Sequence, residues 1–433
     1  MRHFFILGSH PSLSVAEILT VLGETLQKDE FTVTDSSRHA LIIETPAGTP
    51  ALDTAALMKR LGGTVKIGVM LEAAPVKESE LIALMAETLE KKRAGQKTVT
   101  FGYSVYSLDA ENPVNRAGVI ASRFKKVGME TKRLLKEAGF SARWVAAQTG
   151  TMLTSVAVVK NKMPEEGAEF VILSKKDTWT VGITTDVQPF EEFSEHDYGR
   201  PDRDTFQGML PPKLARLMLN VSGITPAADA TVLDPFCGSG TVLTEALQIG
   251  FGHVLGSDIN EKAVESSLKN AAYITEKGLA PAGAEVRTLM SDARDLAQKF
   301  TLKSIDTIVA ETYLGPPRNG RETRGEIQRM LYTLGNLYYQ SFSAFKKVLK
   351  PGAPVILALP AYVVSVKDAG RAATTELHGI SLADFAPLGV KVEPLLPQPI
   401  MARLGDKPSK NQGLYYGRKD QLVWREIVKI RFA

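Results

Sequence analysis

The eight residues from Asp234 to Thr241, Asp-Pro-Phe-Cys-Gly-Ser-Gly-Thr, carry the clearest chemical signal in this chain. They follow the apolar residues of a short predicted strand and precede a pattern typical of a helix. A strand that ends in a carboxylate and turns through Gly238 and Gly240 lets a ligand approach the backbone, because glycine lacks a Cβ. The spacing differs from the G-x-G-x-x-G of nicotinamide sites. We therefore predict a different kind of ligand site at this loop.

Further carboxylates come at the ends of the next predicted strands. The alternation of strand and helix from Val232 onward predicts a parallel, doubly wound sheet, whose ligands bind at the carboxyl ends of the strands. Asp258 closes the second strand and can accept hydrogen bonds from both hydroxyls of a ribose. Asp292 follows the third strand, where it can accept from an adenine amino group or cap a helix. Glu311 follows the fourth strand. Two roles are possible for it there: a catalytic acid or the partner in an ion pair.

The loop from Asp234 to Thr241 resembles the D-P-F-C/M-G-S-G-T loop of amino-group methyltransferases that use S-adenosylmethionine (SAM). The resemblance implies that SAM is the cofactor and that Asp234 lies near its methionine amino group. The residues expected to line the cofactor site are Asp234, Phe236, Gly238, Gly240, Thr241, Asp258, Ile259, Asp292 and Ala293.

Enzymes of this class usually carry D/N-P-P-Y/F after the fourth strand. Here the chain reads Glu311-Thr-Tyr-Leu-Gly-Pro-Pro317, so the acid and the aromatic residue are present but the two prolines are displaced. The resemblance implies that Glu311 accepts the hydrogens of the target amine and that Tyr313 stacks on the base. The protein has little else to supply, because positioning an amine in line with an activated methyl group does most of the work.

A basic segment lies upstream of these motifs. Between Arg116 and Lys162 there are ten cationic and two acidic side chains, a net charge of +8 against +4 for the whole chain. Such a segment can hold a polyanion, although a solvated helix face explains the charge equally well. The candidate phosphate contacts are Arg123, Lys125, Lys126, Lys132, Arg133, Lys136 and Arg143, together with Arg200, Arg318 and Arg321 further along the chain.

The same part of the chain resembles the RNA-binding THUMP domain. The matching stretches, in order, are Phe101-Gly-Tyr-Ser-Val-Tyr106, Lys132-Arg-Leu-Leu-Lys-Glu-Ala-Gly139, Leu153-Thr-Ser155 and Gly182-Ile-Thr-Thr-Asp-Val-Gln188. The resemblance implies that this part holds the acceptor end of tRNA. A basic surface of this kind grips phosphates without reading sequence.

Element patterns predict the domain organisation. Residues 1–95 read as β-α-β-β-α-β, the ferredoxin-like order. Residues 96–188 form the THUMP-like part. Within it we predict a basic helical region over 116–138, divided into two helices near Gly128, and a strand over 154–159. Residues 189–205 read as a linker, and residues 206–433 as a Rossmann-like methyltransferase domain. The predicted fold class is thus α/β, with two α+β domains preceding the catalytic one.

Composition limits the setting of the protein. The single cysteine, Cys237, excludes an internal disulfide and favours a reducing compartment. The six histidines are scattered, so no metal site is expected. The apolar run at the amino terminus is too short for a signal peptide. No stretch of the chain approaches the ~20 apolar residues of a membrane span. We expect a cytoplasmic protein that neither enters a membrane nor binds a metal.

The order of spacer, THUMP-like part and methyltransferase part resembles the tRNA guanosine-N2-methyltransferases that act at position 10. This resemblance implies SAM-dependent methylation of the exocyclic N2 amine of a guanosine, with tRNA as the partner. The resemblance is compatible with a small activator subunit. Without such a subunit we expect a monomer. Two alternatives also stay open: a DNA amino-methyltransferase acting on adenine N6 or cytosine N4, and a non-catalytic tRNA-binding protein that has kept the fold.

Overall fold

The computed structural model describes residues 1–26, 30–72, 76–92, 98–109, 114–148, 150–175, 178–202, 209–366 and 374–433. The chain divides into two compact units. The first comprises Met1–Val15, Thr25–Phe190 and Pro399–Asp406, and the second Ala16–Glu24, Glu191–Gln398 and Lys407–Ala433. Within the described residues, no helix is both long enough and apolar enough to cross a bilayer.

The first unit is built on an eight-stranded sheet. The elements of this part of the chain are β1 Arg2–Leu7, α1 Pro11–Thr25, β2 Thr32–Ser36, β3 Ala40–Glu44, α2 Thr54–Arg60, β4 Thr64–Met70, α3 Glu78–Lys92, β5 Thr98–Ser107, α4 Val114–Glu137, β6 Ser141–Val145, α5 Ser155–Lys160, α6 Met163–Glu166, β7 Gly167–Lys175 and β8 Thr178–Val187. The strand order is β2-β3-β1-β4-β8-β7-β5-β6.

The first six elements follow the predicted β-α-β-β-α-β order, and their strands have the ferredoxin-like arrangement β2-β3-β1-β4. The sheet does not stop at the predicted boundary between residues 95 and 96. Instead β4 pairs antiparallel with β8, so that Val69 lies opposite Ile183. Strands from both predicted domains therefore share one sheet.

Two local predictions in this unit were wrong. Residues 154–159 are helical rather than extended, because the Thr154 side chain accepts a hydrogen bond from the Ala157 amide and caps α5. The basic helix α4 also continues through Gly128 without a break. A Cβ at Gly128 would lie 2.7 Å from the Trp144 ring, so glycine serves close packing of the helix there.

The second unit is built on a nine-stranded sheet. The elements that follow β8 in the chain are α7 Phe190–Tyr198, α8 Pro212–Val221, β9 Thr231–Asp234, α9 Thr241–Ile249, β10 His253–Asp258, α10 Glu261–Glu276, β11 Glu285–Met290, α11 Leu296–Lys299, β12 Thr307–Glu311, α12 Arg324–Val348, β13 Val355–Val366, β14 Thr374–Gly379, a 3-10 helix Leu382–Leu388, β15 Val390–Glu393, α13 Gln398–Arg403, β16 Leu414–Tyr416 and β17 Val423–Phe432. The predicted linker thus contains a helix, α7.

This sheet has the doubly wound topology that the sequence predicts. The order is β11-β10-β9-β12-β13-β17-β15, with β14 beside β13 and β16 beside β17. The first five strands are parallel, and β17 runs antiparallel to β13. Ile308, Val309 and Ala310 of β12 are all fully buried, as expected for a strand covered on both faces. The strand order reverses between β9 and β12, and such a switch point is where ligands bind in this fold class.

Candidate active site

The glycine loop opens the site at the end of β9. Gly238 and Gly240 both have left-handed backbone angles, with φ of 49° and 83°. A Cβ at Gly240 would lie 2.9 Å from Ser267, so that glycine is needed for close packing. A Cβ at Gly238 would meet no atom within 4 Å. The loop therefore presents bare backbone to open space at Gly238, where a ligand can approach.

Asp234 is a buried acid beside this loop. Its Oδ1 accepts a hydrogen bond of 3.0 Å from the Phe236 amide. Burial raises its pKa well above the ordinary value, and the negative charges of Asp258 and Glu311 raise it further. These acids end β9, β10 and β12, so their mutual repulsion favours a cationic ligand among them. They are not arranged as metal ligands, since no group of three such side chains in the described chain could hold a metal.

Asp258 is held by two backbone amides. Its Oδ2 accepts from Gly238 at 3.0 Å and its Oδ1 accepts from Asn260 at 2.9 Å. Each oxygen keeps a second lone pair, so the carboxylate can still accept from two hydroxyl groups. Ile259 is 71% exposed and Met290, at the end of the neighbouring strand, is 59% exposed. These side chains offer apolar surface for a flat ring. Sequence reasoning missed Met290, although an apolar residue at a strand end was a usable signal.

Asp292 does not cap the next helix, because α11 has Asp295 at its N-cap. It pairs instead with Arg294, whose Nη2 lies 2.6 Å from Oδ2 and whose Nε lies 2.9 Å from Oδ1. The hydrogen bonds from this side chain lower the pKa of Asp292. Ala293 beside it is buried. The carboxylate is thus ionised and oriented, and its predicted contact with adenine stays a prediction.

Glu311 ends β12 and forms a buried ion pair. Arg425 of β17 donates from Nε to Glu311 Oε1, and the two side chains are 10% and 18% exposed respectively. Burial raises the pKa of Glu311, while the charge and hydrogen bond of Arg425 oppose that rise. Sequence reasoning missed Arg425. The available signal was the pair of adjacent charges Arg425-Glu426 between apolar residues of β17.

The loop after Glu311 is held by buried hydroxyl groups. Tyr338 donates to the Tyr313 carbonyl at 2.6 Å, and Tyr362 donates to the Leu314 carbonyl at 2.7 Å. The Thr312 hydroxyl lies 3.0 Å from the Ala358 carbonyl. These bonds fix the backbone of the loop that follows Glu311. The Tyr313 ring itself is 52% exposed and is free to stack on a ligand.

Two predicted RNA contacts were wrong. Arg200 is buried and donates to the Thr241 hydroxyl at 2.7 Å. The Arg318 side chain is 3% exposed; it donates to the carbonyls of Val363 and Leu422 and pairs with Glu322. Both arginines therefore hold protein segments together rather than facing a phosphate. Arg321 is exposed and stays a candidate.

The basic helix α4 presents several cations to solvent. Arg133 is paired with Glu130 and Glu137, which neutralise it locally. The side chain of Arg123 lies outside those that the structure describes. The remaining candidates on α4 and β6 are exposed and form no ion pair with described residues: Lys125, Lys126, Lys132, Lys136 and Arg143.

One family comparison covers the part of the chain that contains this site. Residues 200–376 match the UPF0020 family, described as an RMKL-like methyltransferase domain. This range contains the glycine loop, the strand-end acids and Glu311, so this part of the chain is similar to a methyltransferase domain. A DNA methylase family also matches residues 118–269, a range that ends before β12 and Glu311.

Two similar proteins are named for methylation of the N2 amine of a guanine in tRNA, at different positions. The tRNA (guanine(10)-N2)-dimethyltransferase of Methanothermobacter thermautotrophicus is 32% identical over 173 residues, which cover 39% of this chain and 45% of that protein. The tRNA (guanine(6)-N2)-methyltransferase of Thermus thermophilus is 32% identical over 151 residues, covering 35% and 39%. The chain thus matches less than half the length of these relatives. The predicted resemblance to tRNA guanine-N2-methyltransferases is confirmed.

A solved structure supports the fold over the full length. The crystal structure of TrmN from Thermus thermophilus aligns with 100% of both chains at a TM-score of 0.53 and 15% sequence identity. At this identity the likeness concerns the fold alone.

Proposed function

We propose that this protein transfers a methyl group from SAM to the exocyclic N2 amine of a guanosine in tRNA. The observation that carries the proposal is the position of Glu311. It lies at the switch point of a methyltransferase sheet, close enough to Asp234 to shift that residue's pKa. An acid beside the glycine loop suits an amine substrate, and two relatives of the chain are named for guanine-N2 methylation.

The residues present fit SAM. Bound there, SAM supplies a methyl group on a positively charged sulfur. Asp258 accepts the ribose hydroxyls, and Gly238 leaves room for the ligand. Asp234 meets the positive charge of the methionine end, which offsets the cost of ionising a buried acid. Ile259 provides apolar surface beside the adenine.

Glu311 and Tyr313 act on the target base. Glu311 accepts hydrogen bonds from the amine, which directs the nitrogen lone pair toward the methyl group and places the amine in line. As the bond from the amine nitrogen to the methyl carbon formed and the bond from that carbon to sulfur broke, the nitrogen would become acidic, and the Glu311 carboxylate would receive its proton. The exposed Tyr313 ring stacks on the base, which has left its helix at a cost of about a few kcal/mol.

The basic surface of the first unit holds the RNA. In this proposal residues 96–188 are a THUMP domain, whose exposed cations on α4 and β6 contact phosphates, and residues 1–95 are a spacer. Such contacts position the nucleic acid without reading its sequence. Choice of the target nucleotide then depends on the distance from the gripped end of the tRNA to the catalytic site.

Incubation with labelled SAM and unmodified tRNA, followed by nucleoside mapping, tests the proposal. We expect the label in N2-methylguanosine or its dimethylated form. Label in DNA adenine or cytosine, with none in tRNA, would support the DNA methyltransferase alternative. Binding of SAM and tRNA without any transfer would support the non-catalytic alternative.

Loss of cations from α4 should weaken RNA binding. With Lys132 and Lys136 both replaced by alanine, we expect about tenfold lower tRNA affinity near physiological salt. The slope of log affinity against log salt should fall by about two, one for each phosphate contact. Arg133→Ala is the matched control, since Glu130 and Glu137 already neutralise that side chain. Equal effects of the lysine and arginine changes would contradict the assigned contacts.

Asp234 should make the stability of the ligand-free protein depend on pH. Because its pKa is raised in the folded protein, the folded state binds this proton more tightly than the unfolded state does. The protonated Asp234 therefore contributes fully to the free energy of unfolding below pH 3.8, the ordinary pKa of this group. This contribution is lost as the pH rises through the raised pKa. Asp234→Asn should raise the melting temperature of the ligand-free protein at pH 8 and not at pH 4.

The same substitution should weaken SAM binding by about tenfold or more, since a charged hydrogen bond contributes roughly 1.5–3 kcal/mol. A cationic ligand favours the ionised acid, so the affinity of the wild-type protein should exceed that of the variant increasingly as the pH rises. Calorimetric titrations across this pH range measure the difference. A pH-independent ratio of the two affinities would show that Asp234 does not face the positive charge.

A further inference from the structure

The Glu311–Arg425 pair keeps hydrogen-bonding groups beyond the contact that joins its two side chains. Only Nε of Arg425 and Oε1 of Glu311 are joined. Among described residues, Glu311 Oε2 and the terminal Nη atoms of Arg425 have no partner, and none of them is enclosed as a buried unsatisfied atom. They therefore stay accessible to a ligand in the catalytic site.

The order of these groups is acceptor, acceptor, donor. The two carboxylate oxygens accept hydrogen bonds, and Oε1 keeps one lone pair after bonding Arg425. The guanidinium follows on the Oε1 side, and it can only donate. A base edge that fits this order must offer donor, donor and acceptor.

Guanine is the nucleobase with such an edge around a methylatable amine. It presents N2–H and N1–H as donors and O6 as an acceptor. Adenine presents the N6 amine beside the lone pair of N1, and cytosine the N4 amine beside the lone pair of N3. In either of those bases a ring lone pair would face a carboxylate oxygen, and a repulsive mismatch of this kind is how specific sites reject competitors.

We propose that Arg425 is a specificity-determining residue: with Glu311 it reads the Watson–Crick edge of the target guanine, donating to O6 while the carboxylate accepts N1–H and N2–H. The inference rests on the proposed function and names the base that this site selects. Arg425 also maintains the pattern, because its charge opposes the effect of burial on Glu311. Without it, a protonated Glu311 would offer one donor and one acceptor, which fits adenine and cytosine edges.

The test compares two target bases in the same tRNA, guanine and 2,6-diaminopurine. The analogue keeps the N2 amine, but it has a lone pair at N1 and an amine in place of O6. For the wild-type enzyme we expect kcat/KM for guanine to exceed that for the analogue by about 100-fold or more, because two of the three edge contacts are mismatched and each costs about tenfold. For Arg425→Met the ratio should fall below about tenfold, with guanine losing most. Arg425→Lys, which keeps a donor, should retain part of the preference.

The ratio separates specificity from folding. A change that only loosens the domain lowers both values of kcat/KM together and leaves their ratio unchanged. Arg287→Met, at an exposed strand position, is the control and should change neither value. A ratio near one for the wild-type enzyme, or an unchanged ratio in Arg425→Met, would overturn the inference while guanine methylation still stands. If the wild-type enzyme methylates neither base, the proposed function fails first and takes the inference with it.

Discussion

Replacing Glu311 by alanine is expected to lower kcat by about 1,000-fold while SAM and tRNA still bind. In the proposed mechanism the Glu311 carboxylate orients the target amine and receives its proton, and general-base catalysis alone contributes roughly 10²–10⁴-fold. Because the interaction matters most as the proton leaves, the loss should fall on kcat more than on KM. Single-turnover methylation with saturating SAM and tRNA measures it, and equilibrium titrations check both bindings.

Glu311→Ala also removes the ion-pair partner of Arg425, which affects stability as well as turnover. Alanine leaves Arg425 as a buried charge without its carboxylate, and breaking a buried pair typically costs about 3–5 kcal/mol of stability. Glu311→Gln is the matched control, because its amide oxygen can still accept from Arg425 but cannot take a proton. It should fold like the wild-type protein and still be severely impaired in turnover. Full activity in either variant would exclude a catalytic role for Glu311.

Asp258→Ala should lower SAM affinity by about 100-fold or more and leave tRNA affinity nearly unchanged. The carboxylate is expected to accept both ribose hydroxyls, and each hydrogen bond to a charged group is worth roughly 1.5–3 kcal/mol. It also holds the Gly238 and Asn260 amides, so its loss should loosen the glycine loop. Calorimetry with SAM and filter binding with tRNA give the two affinities.

The control for this prediction is Asp229→Ala, which removes an exposed acid from the same methyltransferase unit. It should leave SAM affinity unchanged. If Asp258→Ala also bound SAM normally, the ribose assignment would be refuted, whatever the variant did to turnover. A parallel loss of tRNA binding would instead indicate that the substitution disturbs the fold beyond the cofactor site.

Much of the candidate site could be predicted from local sequence. Asp234, Asp258 and Glu311 each follow an apolar strand, and the carboxyl ends of parallel strands meet at one edge of a sheet. Placing these acids together thus required only the order of strands and helices along the chain. The glycine loop could be recognised for a similar reason, since the left-handed angles at Gly238 and Gly240 are conformations that glycine adopts readily.

Local sequence could not predict which charged side chains are buried and which residues they pair with. Arg200 and Arg318 have the same chemistry as the exposed cations of α4, yet packing buries them against Thr241 and against backbone carbonyls. Glu311 and Arg425 are 114 positions apart, and β17 reaches the site by running antiparallel beside β13. Likewise, the pairing of β4 with β8 joins strands of two predicted domains in one sheet.

The sequence alone therefore determined the class of site: a glycine loop and strand-end acids in a doubly wound sheet, preceded by a basic helical segment. These features depend on short-range steric preferences and on hydrophobic periodicity, which neighbouring residues set. Tertiary structure decided which cations face solvent and which acid gains a partner. Those outcomes depend on burial and on groups contributed by distant strands, and a local pattern contains no information about either.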